Sequence, residues 1–442
     1  MSDKTDLHHI IIVGGGAGGL ELATRLGNKL GKKNKAEITL IDCVLTHLWK
    51  PLLHEVAAGS LNSYEDELSY MAQAHWHHFR FRLGRMDGLD RQKQEVTTAP
   101  TLDEEGREYI PRRTFRYDTL IMAVGSVTND FGIPGVKEHC QFLDTRQQAD
   151  RFHQLFLRQC YTAHTQSEPL REGQLHIAIA GAGATGVELS AELHESARQL
   201  VNYGLDTINP KRDVRIVIVE ASDRILPALP ERLSRQTTKS LERLDIDVIT
   251  GQRITEATAE GFHTDTGNFI PAEMKVWAAG IKAPDFLNEL EGLETNKINQ
   301  LVVQPTLQTT RDENIFAFGD CAACPYDGSL VPPRAQAAHQ QASMLYKSML
   351  KRIKGNRDLP TYTYVDYGSL ISMSRYSTVG NLMGNLSGKL STNIMIEGVF
   401  ARLVYTSLYK MHQLALHGFL RVVLNTIANV LTRRAKPRMK LH

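Results

Sequence analysis

An α/β fold with two parallel sheets is predicted for this chain of 442 residues by a pattern that occurs twice. In each copy a short apolar run, of the kind that forms a fully buried strand, leads into a glycine-rich turn and then into a segment with helical hydrophobic spacing. The turns lie at residues 14–19 and 181–186. Because neighbouring parallel strands need a crossover connection, usually a helix, each copy indicates a strand–helix–strand unit.

In the first copy, each glycine of the GxGxxG spacing has a predictable role. Gly14 permits a tight turn, Gly16 lets the backbone approach a phosphate group, and Gly19 lets the helix pack on the strand. The next apolar run, at residues 38–41, ends on Asp42, whose carboxylate is suited to bind ribose hydroxyls. The start of the helix adds unpaired N–H groups and the positive end of its dipole. These features together predict a dinucleotide site.

The second copy has the same features. A predicted strand precedes Gly181, Gly183 and Gly186, and the following strand, at residues 214–219, ends on Glu220. A carboxylate in that position accepts hydrogen bonds from ribose hydroxyls and repels a 2′-phosphate, so Glu220 favours NADH over NADPH. The chain is therefore predicted to contain two Rossmann-like domains.

Further buried strands suggest that the first domain is interrupted by the second. Strands are predicted at residues 119–124, 276–280 and 314–320, and a helix follows from about Arg334. The predicted division is a first domain at 1–149 that resumes at 301–360, a second domain at 150–300, and a C-terminal domain at 361–442.

Several connecting segments also carry predictions. Residues 80–83 and 95–97 alternate polar and apolar side chains, which predicts antiparallel strands, and residues 362–365 are strand-like. Residues 75–78, with three histidines, are predicted to form a polar surface loop, and no metal site is expected.

Composition places the chain among ordinary globular proteins of two or three domains. Residues 1–9 lack the basic and apolar regions of a signal peptide. No uncharged apolar stretch approaches the roughly 18 residues that span a bilayer. Five cysteines, a small and odd number, are typical of a reducing compartment, so a cytoplasmic location is expected.

The C-terminal region differs in charge from the rest of the chain. Residues 398–442 contain eight Lys or Arg and no Asp or Glu, whereas residues 1–397 contain 43 basic and 49 acidic residues. An amphipathic pattern covers residues 403–416, with Lys410, and a second apolar face is formed by Phe419, Leu420, Val423, Leu424, Ile427, Val430 and Leu431. The cations around this face are Arg421, Arg433, Arg434, Lys436, Arg438 and Lys440. Such helices bind an anionic membrane surface; packing on the protein's own core or on a dimer partner is the alternative.

These segments resemble the two-dinucleotide-fold flavoprotein reductases, and most specifically the type II NADH dehydrogenases, which are single-subunit, non-proton-pumping NADH:quinone oxidoreductases. The resemblance is carried by residues 14–21, 47–59, 181–188, 277–280 and 315–321, and by the AQxAxQ motif at 335–340. With the basic C-terminus it extends over nearly the whole chain, and it is closest to the proteobacterial members.

The resemblance implies a set of site residues. For FAD, bound non-covalently, these are Gly14, Gly16, Ala17, Gly18, Gly19, Asp42, Cys43, Lys50, Pro51, Ala123, Gly125, Ser126, Gly319, Asp320 and Ala335. For the substrate NADH they are Gly181, Gly183, Ala184, Thr185, Gly186, Glu188, Glu220, Ala279 and Gly280, and for quinone they are Gln336 and Gln340. Glu188, Lys50 and Gln336 are the residues expected closest to the chemistry. Glu188 could instead be an ordinary first-turn acid, and Lys50 a surface lysine.

The expected protein passes two electrons from NADH through FAD to ubiquinone or menaquinone, as a homodimer attached to the cytoplasmic face of the inner membrane. A flavin disulfide reductase is disfavoured because the CxxxxC pair is absent, with Leu48 at the matching distance from Cys43. A sulfide:quinone oxidoreductase is disfavoured by the intact second turn and Glu220. A reductase of a soluble acceptor, and an FAD-bound redox sensor whose tail binds nucleic acid, are kept as alternatives; nucleic-acid binding itself is not expected. Cys321 and Cys324 are interpreted as ordinary thiols, with a redox or metal role as the alternative.

Overall fold

The structure is a computed structural model, and it describes residues 7–103, 105–383, 393–432 and 439–441. The helices are α1 Ala17–Lys29, α2 Leu53–Ala58, α3 Ser63–Asp66, α4 Tyr70–His77, α5 Val136–His139, α6 Arg146–Thr165, α7 Ala184–Asn202, α8 Pro210–Asp213, α9 Glu231–Glu242, α10 Ala335–Arg352, α11 Gly398–His417 and α12 Phe419–Thr432.

The strands up to the second glycine-rich turn are β1 His8–Val13, β2 Ala36–Asp42, β3 Thr46–His47, β4 Leu68–Ser69, β5 Arg80–Leu83, β6 Met86–Asp90, β7 Glu95–Thr98, β8 Thr101–Leu102, β9 Glu108–Ile110, β10 Arg113–Arg116, β11 Thr119–Met122, β12 Val127–Thr128 and β13 His176–Ala180. The strands that follow are β14 Arg215–Val219, β15 Ile246–Ile249, β16 Ile254–Ala257, β17 Gly261–Thr264, β18 Phe269–Pro271, β19 Met274–Trp277, β20 Ile281–Lys282, β21 Leu301–Val302, β22 Gln308–Thr309, β23 Asp312–Ala317, β24 Ala322–Ala323, β25 Pro325–Tyr326, β26 Ser329–Leu330, β27 Gly368–Met373, β28 Ser377–Met383 and β29 Asn393–Glu397.

The chain divides into two compact units. Unit 1 comprises Met1–Trp49, Glu67–Val127 and Ile281–Val365, and unit 2 comprises Lys50–Asp66, Thr128–Gly280 and Asp366–His442. The four-segment domain division derived from the sequence stays a prediction.

Unit 1 is built on a six-stranded sheet with the order β22-β23-β11-β1-β2-β5. The strands are parallel except β22, which runs antiparallel to β23. The central strands are apolar runs whose residues, such as Ile10, Ile12 and Leu40, are completely buried. Since the strands are parallel, the carboxyl ends of β1, β2, β11 and β23 meet at one edge of the sheet, where open α/β sheets bind ligands.

Unit 2 contains a four-stranded parallel sheet with the order β15-β14-β13-β19. It also contains two antiparallel three-stranded sheets, β16-β17-β18 and β27-β28-β29. Helix α7 follows β13, and α11 packs on the last of these sheets. The α/β fold with two strand–turn–helix–strand units, predicted from the sequence, is confirmed.

Three predictions for the connecting segments are wrong. Residues 75–77 form the end of α4 rather than a loop, because Ser69 caps this helix and it closes with His78 in the left-handed conformation (φ 58°). Strand β5 is parallel to β2, as the edge of the main sheet, rather than antiparallel. Residues 362–365 form no strand, because the Val365 N–H donates to the side chain of Gln340 instead of to a neighbouring strand.

Helices α11 and α12 match the two amphipathic segments predicted near the C-terminus. The cations Arg433, Arg434, Lys436 and Arg438 lie outside the described residues. Lys440 differs from the expectation of a membrane-facing cation: its Nζ lies 3.3 Å from Asp150 Oδ1, and its side chain is only 12% exposed. Its backbone N–H donates to Gly59 O, and its carbonyl oxygen accepts from His153 Nε2. Lys440 is therefore part of the folded body of unit 2.

Candidate functional site

The first glycine-rich turn has the geometry that its sequence predicts. Gly14 has φ +102°, and a Cβ there would overlap the carbonyl of Ala123. A Cβ at Gly19 would overlap the carbonyl of Gly14, so only glycine lets α1 pack this closely on β1. Gly16 is exposed, and a Cβ built there meets no heavy atom of the structure within 4 Å. The turn thus leaves open space beside Gly16, at the start of α1.

Helix α1 begins without the usual side-chain cap. Its N-cap is Gly16, and no side chain of the described residues accepts from its first N–H groups. By contrast, α6 has a full capping box formed by Thr145 and Gln148. Because the uncapped N–H groups of α1 face an open space, they are suited to bind an anionic group.

Asp42, at the end of β2, holds the first turn in place. Its Oδ2 accepts from the Gly15 N–H at 2.6 Å, and its Oδ1 accepts from the Val44 N–H at 3.0 Å. Burial raises the pKa of Asp42, and these backbone hydrogen bonds oppose that shift. The role in loop geometry was not predicted from the sequence, which assigned Asp42 to the ribose.

A second acid stands at the same sheet edge in unit 1. Asp320 Oδ2 accepts from Ser126 Oγ at 2.8 Å. Gly319 has φ +72°, and its N–H donates to Oε1 of the buried Gln341 on α10. The structure therefore brings together the predicted FAD residues of unit 1, namely Gly14, Gly16, Ala17, Gly18, Gly19, Asp42, Cys43, Ala123, Gly125, Ser126, Gly319, Asp320 and Ala335, in one unit. The predicted FAD residues Lys50 and Pro51 fall in unit 2, where Lys50 Nζ lies 3.4 Å from Asp144 Oδ1.

The second glycine-rich turn repeats this geometry in unit 2. Gly181 has φ +95°, and a Cβ at Gly186 would overlap the Gly181 carbonyl. At Gly183, which caps α7 without a side-chain hydrogen bond, a Cβ would meet no described atom within 4 Å. Glu220 Oε2 accepts from the Ala182 N–H at 2.8 Å, as Asp42 does in the first turn. The two turns therefore share the same construction.

Two predicted NADH residues, Ala279 and Gly280, lie just beyond the end of β19. Ala279 packs against the second turn so closely that a Cβ at Gly181 would overlap the Ala279 backbone. Gly280 has φ +66°, and a Cβ there would overlap the ring of Phe131. Ala184 and Thr185 are exposed in the first turn of α7. The second set of predicted residues therefore gathers at the carboxyl edge of the unit 2 sheet.

Glu188 lies on α7 in a buried polar cluster that the sequence did not predict. Its Oε1 accepts from the Ser372 N–H at 3.0 Å, and its Oε2 lies 3.6 Å from Nδ1 of His54. Burial raises the pKa of Glu188 to about 8 and lowers the pKa of His54 to about 4. The Glu188–His54 pair is therefore uncharged at neutral pH. Burial also raises the pKa of the nearby Tyr405 hydroxyl.

The raised pKa of Glu188 predicts a pH-dependent stability. Between the unfolded value near 4.5 and the folded value near 8, the folded state binds more protons than the unfolded state, so this group's contribution to stability falls as pH rises. Glu188→Gln removes that loss, and we expect its melting temperature relative to wild type to increase from pH 5 to pH 8. Glu242→Gln, at an exposed position of α9, is the control and should show no such trend. A constant difference between Glu188→Gln and wild type over this pH range would contradict the assignment.

The two predicted quinone residues lie one turn apart on α10. The side-chain amide of Gln340 donates to the Val365 carbonyl at 2.7 Å and accepts from the Val365 N–H and the Tyr362 hydroxyl. Gln340 therefore fixes the segment before β27, whereas Gln336, half-buried, lies in the first turn of the helix.

Sequence reasoning missed the residues that support these groups from distant parts of the chain. They are His47, Tyr70 and Gln341 in unit 1, and His54, Leu226 and Ser372 in unit 2. His47 and His54 lie in the segment 47–59 that carries the family resemblance, but no spacing rule predicts what any of these residues contacts. Each contacts its partner across at least 32 residues of sequence, apart from Gln341, which is 22 residues from Gly319.

Comparisons with known proteins agree with this geometry. Residues 8–342 match the family model for pyridine nucleotide-disulphide oxidoreductase. The chain is 43% identical, over 99% of its length and 100% of the relative, to a type II NADH:quinone oxidoreductase of Haemophilus influenzae. It is 29% identical, over 87% of its length and 92% of the relative, to the type II NADH:quinone oxidoreductase of Staphylococcus aureus.

Solved structures give the same fold at low sequence identity. NDH2 from Plasmodium falciparum in complex with NADH has a TM-score of 0.81 at 18% identity, covering 98% of this chain and 100% of that one. The sulfide:quinone oxidoreductase of Aquifex aeolicus has a TM-score of 0.70 at 17% identity, covering 97% and 96%. The match to the family model and the 43% identity over the whole length of the Haemophilus relative together show the family. The chain belongs to the pyridine nucleotide-disulphide oxidoreductase family, and within it to the type II NADH:quinone oxidoreductases.

Proposed function

We propose that this protein oxidises NADH and reduces a membrane quinone, with FAD as the resident carrier and without pumping protons. The observation that carries the proposal is the presence of two glycine-rich turns of the same construction, one in each unit, in a chain of this family. Two such turns supply one site for a bound flavin dinucleotide and one for a nicotinamide dinucleotide.

The residues of unit 1 fit FAD. Gly16 leaves the space that a pyrophosphate requires, and the uncapped start of α1 offers N–H groups to it. Asp42 has its carboxylate beside the turn, where a ribose would lie, and Asp320 is fixed by Ser126 in a position suited to the ribityl chain. When bound, FAD supplies the acceptance of a hydride and the release of electrons.

The residues of unit 2 fit NADH. Gly183 and the start of α7 repeat the pyrophosphate site, and Glu220, which already accepts from the turn, presents a carboxylate that disfavours a 2′-phosphate. Ala279 and Gly280, which themselves carry no large side chain, would border the nicotinamide. Glu188, uncharged at neutral pH, would contribute a buried carboxyl group beside it.

Gln336 and Gln340 would border the quinone. Gln340 contributes by fixing the backbone at Val365, since its amide group is engaged there. Gln336, in the first turn of α10, would contact the quinone itself, and Lys50 with Pro51 would border the flavin ring.

The proposed activity is tested with purified, FAD-loaded protein. We expect rapid consumption of NADH that requires an added short-chain quinone, and much slower consumption of NADPH because of Glu220. NADH consumption that is independent of quinone, or equal rates with NADPH, would contradict the proposal.

We further propose that α11 and α12 attach the protein to an anionic membrane on the cytoplasmic face of the inner membrane. No helix in the described part of the chain is long and apolar enough to cross a bilayer. Large apolar side chains of α11 and α12 are exposed, by 36% to 75%: Leu403, Leu408, Met411, Leu414, Phe419, Leu420, Leu424, Ile427 and Leu431. Apolar side chains on amphipathic helices that carry cations are suited to the membrane interface.

A charge on this apolar face should release the protein from membranes. Leu424→Glu replaces a 58% exposed side chain on α12, and we expect its binding to vesicles of mixed anionic and neutral lipid to fall roughly tenfold or more. Asn429→Glu adds the same charge at an exposed position on the opposite side of the helix and is the matched control. Equal binding of the two variants in vesicle flotation would contradict the membrane proposal.

We also propose a homodimer. Light scattering of the detergent-free protein should give twice the mass of the 49.5 kDa chain, and a monomer at micromolar concentration would contradict it.

A further inference from the structure

We infer that His47 and Tyr70 are positioning residues for FAD, because together they hold the peptide bond between Gly15 and Gly16 in the orientation that presents the Gly16 N–H to the pyrophosphate. This inference rests on the proposed assignment of the first glycine-rich turn to FAD. It concerns two side chains that lie outside the GxGxxG spacing and whose contact with the turn no sequence pattern predicts.

Both side chains donate to one carbonyl inside the turn. The Tyr70 hydroxyl donates to Gly15 O at 2.8 Å, and His47 Nδ1 lies 3.0 Å from the same oxygen. Since the acceptor is a carbonyl, His47 carries its hydrogen on Nδ1. The side chains are almost completely buried, with exposed fractions of 2% for Tyr70 and 4% for His47. Two buried donors on one backbone acceptor, inside a loop of three consecutive glycines, make a specific arrangement.

Local structure holds the two donors rigidly. His47 ends β3, which pairs with β4 directly before Tyr70, and the Tyr70 N–H donates to the Leu45 carbonyl at 3.0 Å. The Tyr70 ring stacks on Phe81, with ring centroids 5.1 Å apart and an interplanar angle of 26°. Burial raises the pKa of the Tyr70 hydroxyl well above 10, so it remains a donor at every working pH.

The consequence for the phosphate site follows from peptide geometry. In a trans peptide the carbonyl of one residue and the N–H of the next point in opposite directions. With the Gly15 carbonyl directed at Tyr70 and His47, the Gly16 N–H is directed away from them, toward the exposed side of the turn. A peptide between two glycines rotates easily, and rotation would turn the carbonyl oxygen toward the phosphates and repel them.

The second turn supports this interpretation, because its corresponding carbonyl is also held. There Ala182 O accepts from the Leu226 N–H at 2.8 Å, and Leu226 reaches this position with φ +49°. In both turns the carbonyl between the first two glycines of the motif is therefore held by hydrogen bonds. Two side chains hold the Gly15 carbonyl in the first turn, and a backbone N–H holds the Ala182 carbonyl in the second. The difference also explains Gly15: a Cβ there would overlap the Tyr70 ring, whereas the second turn has alanine at that position.

The inference is tested on deflavinated protein by titration with FAD. Tyr70→Phe and His47→Leu each remove one hydrogen bond, and we expect FAD affinity to fall roughly three- to tenfold for each. His47→Asn keeps an N–H donor at the same distance along the side chain and should restore most of the affinity lost in His47→Leu. Tyr117→Phe is the matched control, since among the described residues nothing hydrogen-bonds the buried Tyr117 hydroxyl.

Two further measurements, the melting temperature and the KM for NADH, distinguish a role in positioning the Gly15 peptide from a role in folding. The melting temperature of deflavinated Tyr70→Phe should be lower than that of Tyr117→Phe only by the few degrees that one buried hydrogen bond is worth. The KM for NADH of the FAD-saturated variants should be unchanged because the second turn is intact. The inference would be overturned if Tyr70→Phe bound FAD as tightly as Tyr117→Phe does. It would also be overturned if His47→Leu and His47→Asn bound FAD with equal affinity. Wild-type protein that fails to bind FAD at all would overturn the proposed function instead. If Tyr70→Phe does not fold, the two His47 variants decide the question.

Discussion

Gly16→Val is expected to give a folded protein that is purified without FAD and whose FAD affinity is lower by roughly 100-fold or more. Gly16 has φ −60° and ψ −173°, a conformation open to side chains, and a Cβ there would meet no atom of the described residues within 4 Å. The valine methyl groups would therefore occupy the space that the pyrophosphate needs without displacing atoms of the protein. FAD content, FAD titration and the melting temperature of the deflavinated protein measure the effect.

Gly19→Ala provides the contrast. Its Cβ would overlap the Gly14 carbonyl, so we expect this variant to lower the melting temperature even without FAD. A Gly16→Val protein with normal FAD content would contradict the assignment of the first turn. A Gly16→Val protein as unstable as Gly19→Ala would contradict the open geometry at Gly16.

Gly183→Val is expected to retain FAD fully and to lose NADH binding, with the KM for NADH higher by roughly 100-fold. Gly183 has φ −71° and ψ −174°, and a side chain there also meets open space, at the start of α7. Because the first turn is unchanged, the flavin should still be reduced by dithionite. Steady-state kinetics with NADH, together with flavin content, measure both parts.

The two glycine variants test the assignment of the first turn to FAD and of the second turn to NADH. Gly16→Val should affect FAD alone and Gly183→Val NADH alone, so each is the control for the other. Loss of FAD in Gly183→Val with retained NADH binding would show that the two sites have been assigned in reverse.

Most of the parallel-sheet architecture was predictable because local pattern determines it. Apolar runs, glycines at fixed spacing and an acid at the end of the next strand recur together in such units, so Asp42 and Glu220 could be recognised from the sequence. The strand errors arose where local pattern is ambiguous. Residues 80–83 alternate as an antiparallel strand does, yet they pair in parallel at the sheet edge, which only tertiary packing decides.

The groups around the proposed sites were predictable only in part. Glu188 was chosen through the family resemblance, but its raised pKa comes from burial, and its carboxyl group contacts His54 and Ser372, which are 134 and 184 residues away along the chain. Similarly, the carbonyl of Gly15 is held by His47 and Tyr70, and no sequence motif predicts that these two side chains contact the turn. Hydrogen bonds between distant segments leave no periodic signal, so they became visible only in the folded chain.

The central claim is tested most directly by following the flavin itself, without oxygen, through two separate additions. Purified FAD-loaded protein is mixed first with NADH and then, after removal of excess NADH, with a soluble quinone, while the visible absorbance of the flavin is recorded. We predict loss of the oxidised flavin spectrum on adding NADH and its full return on adding quinone. Flavin that NADH reduces but quinone does not reoxidise would contradict the quinone assignment and indicate a different electron acceptor.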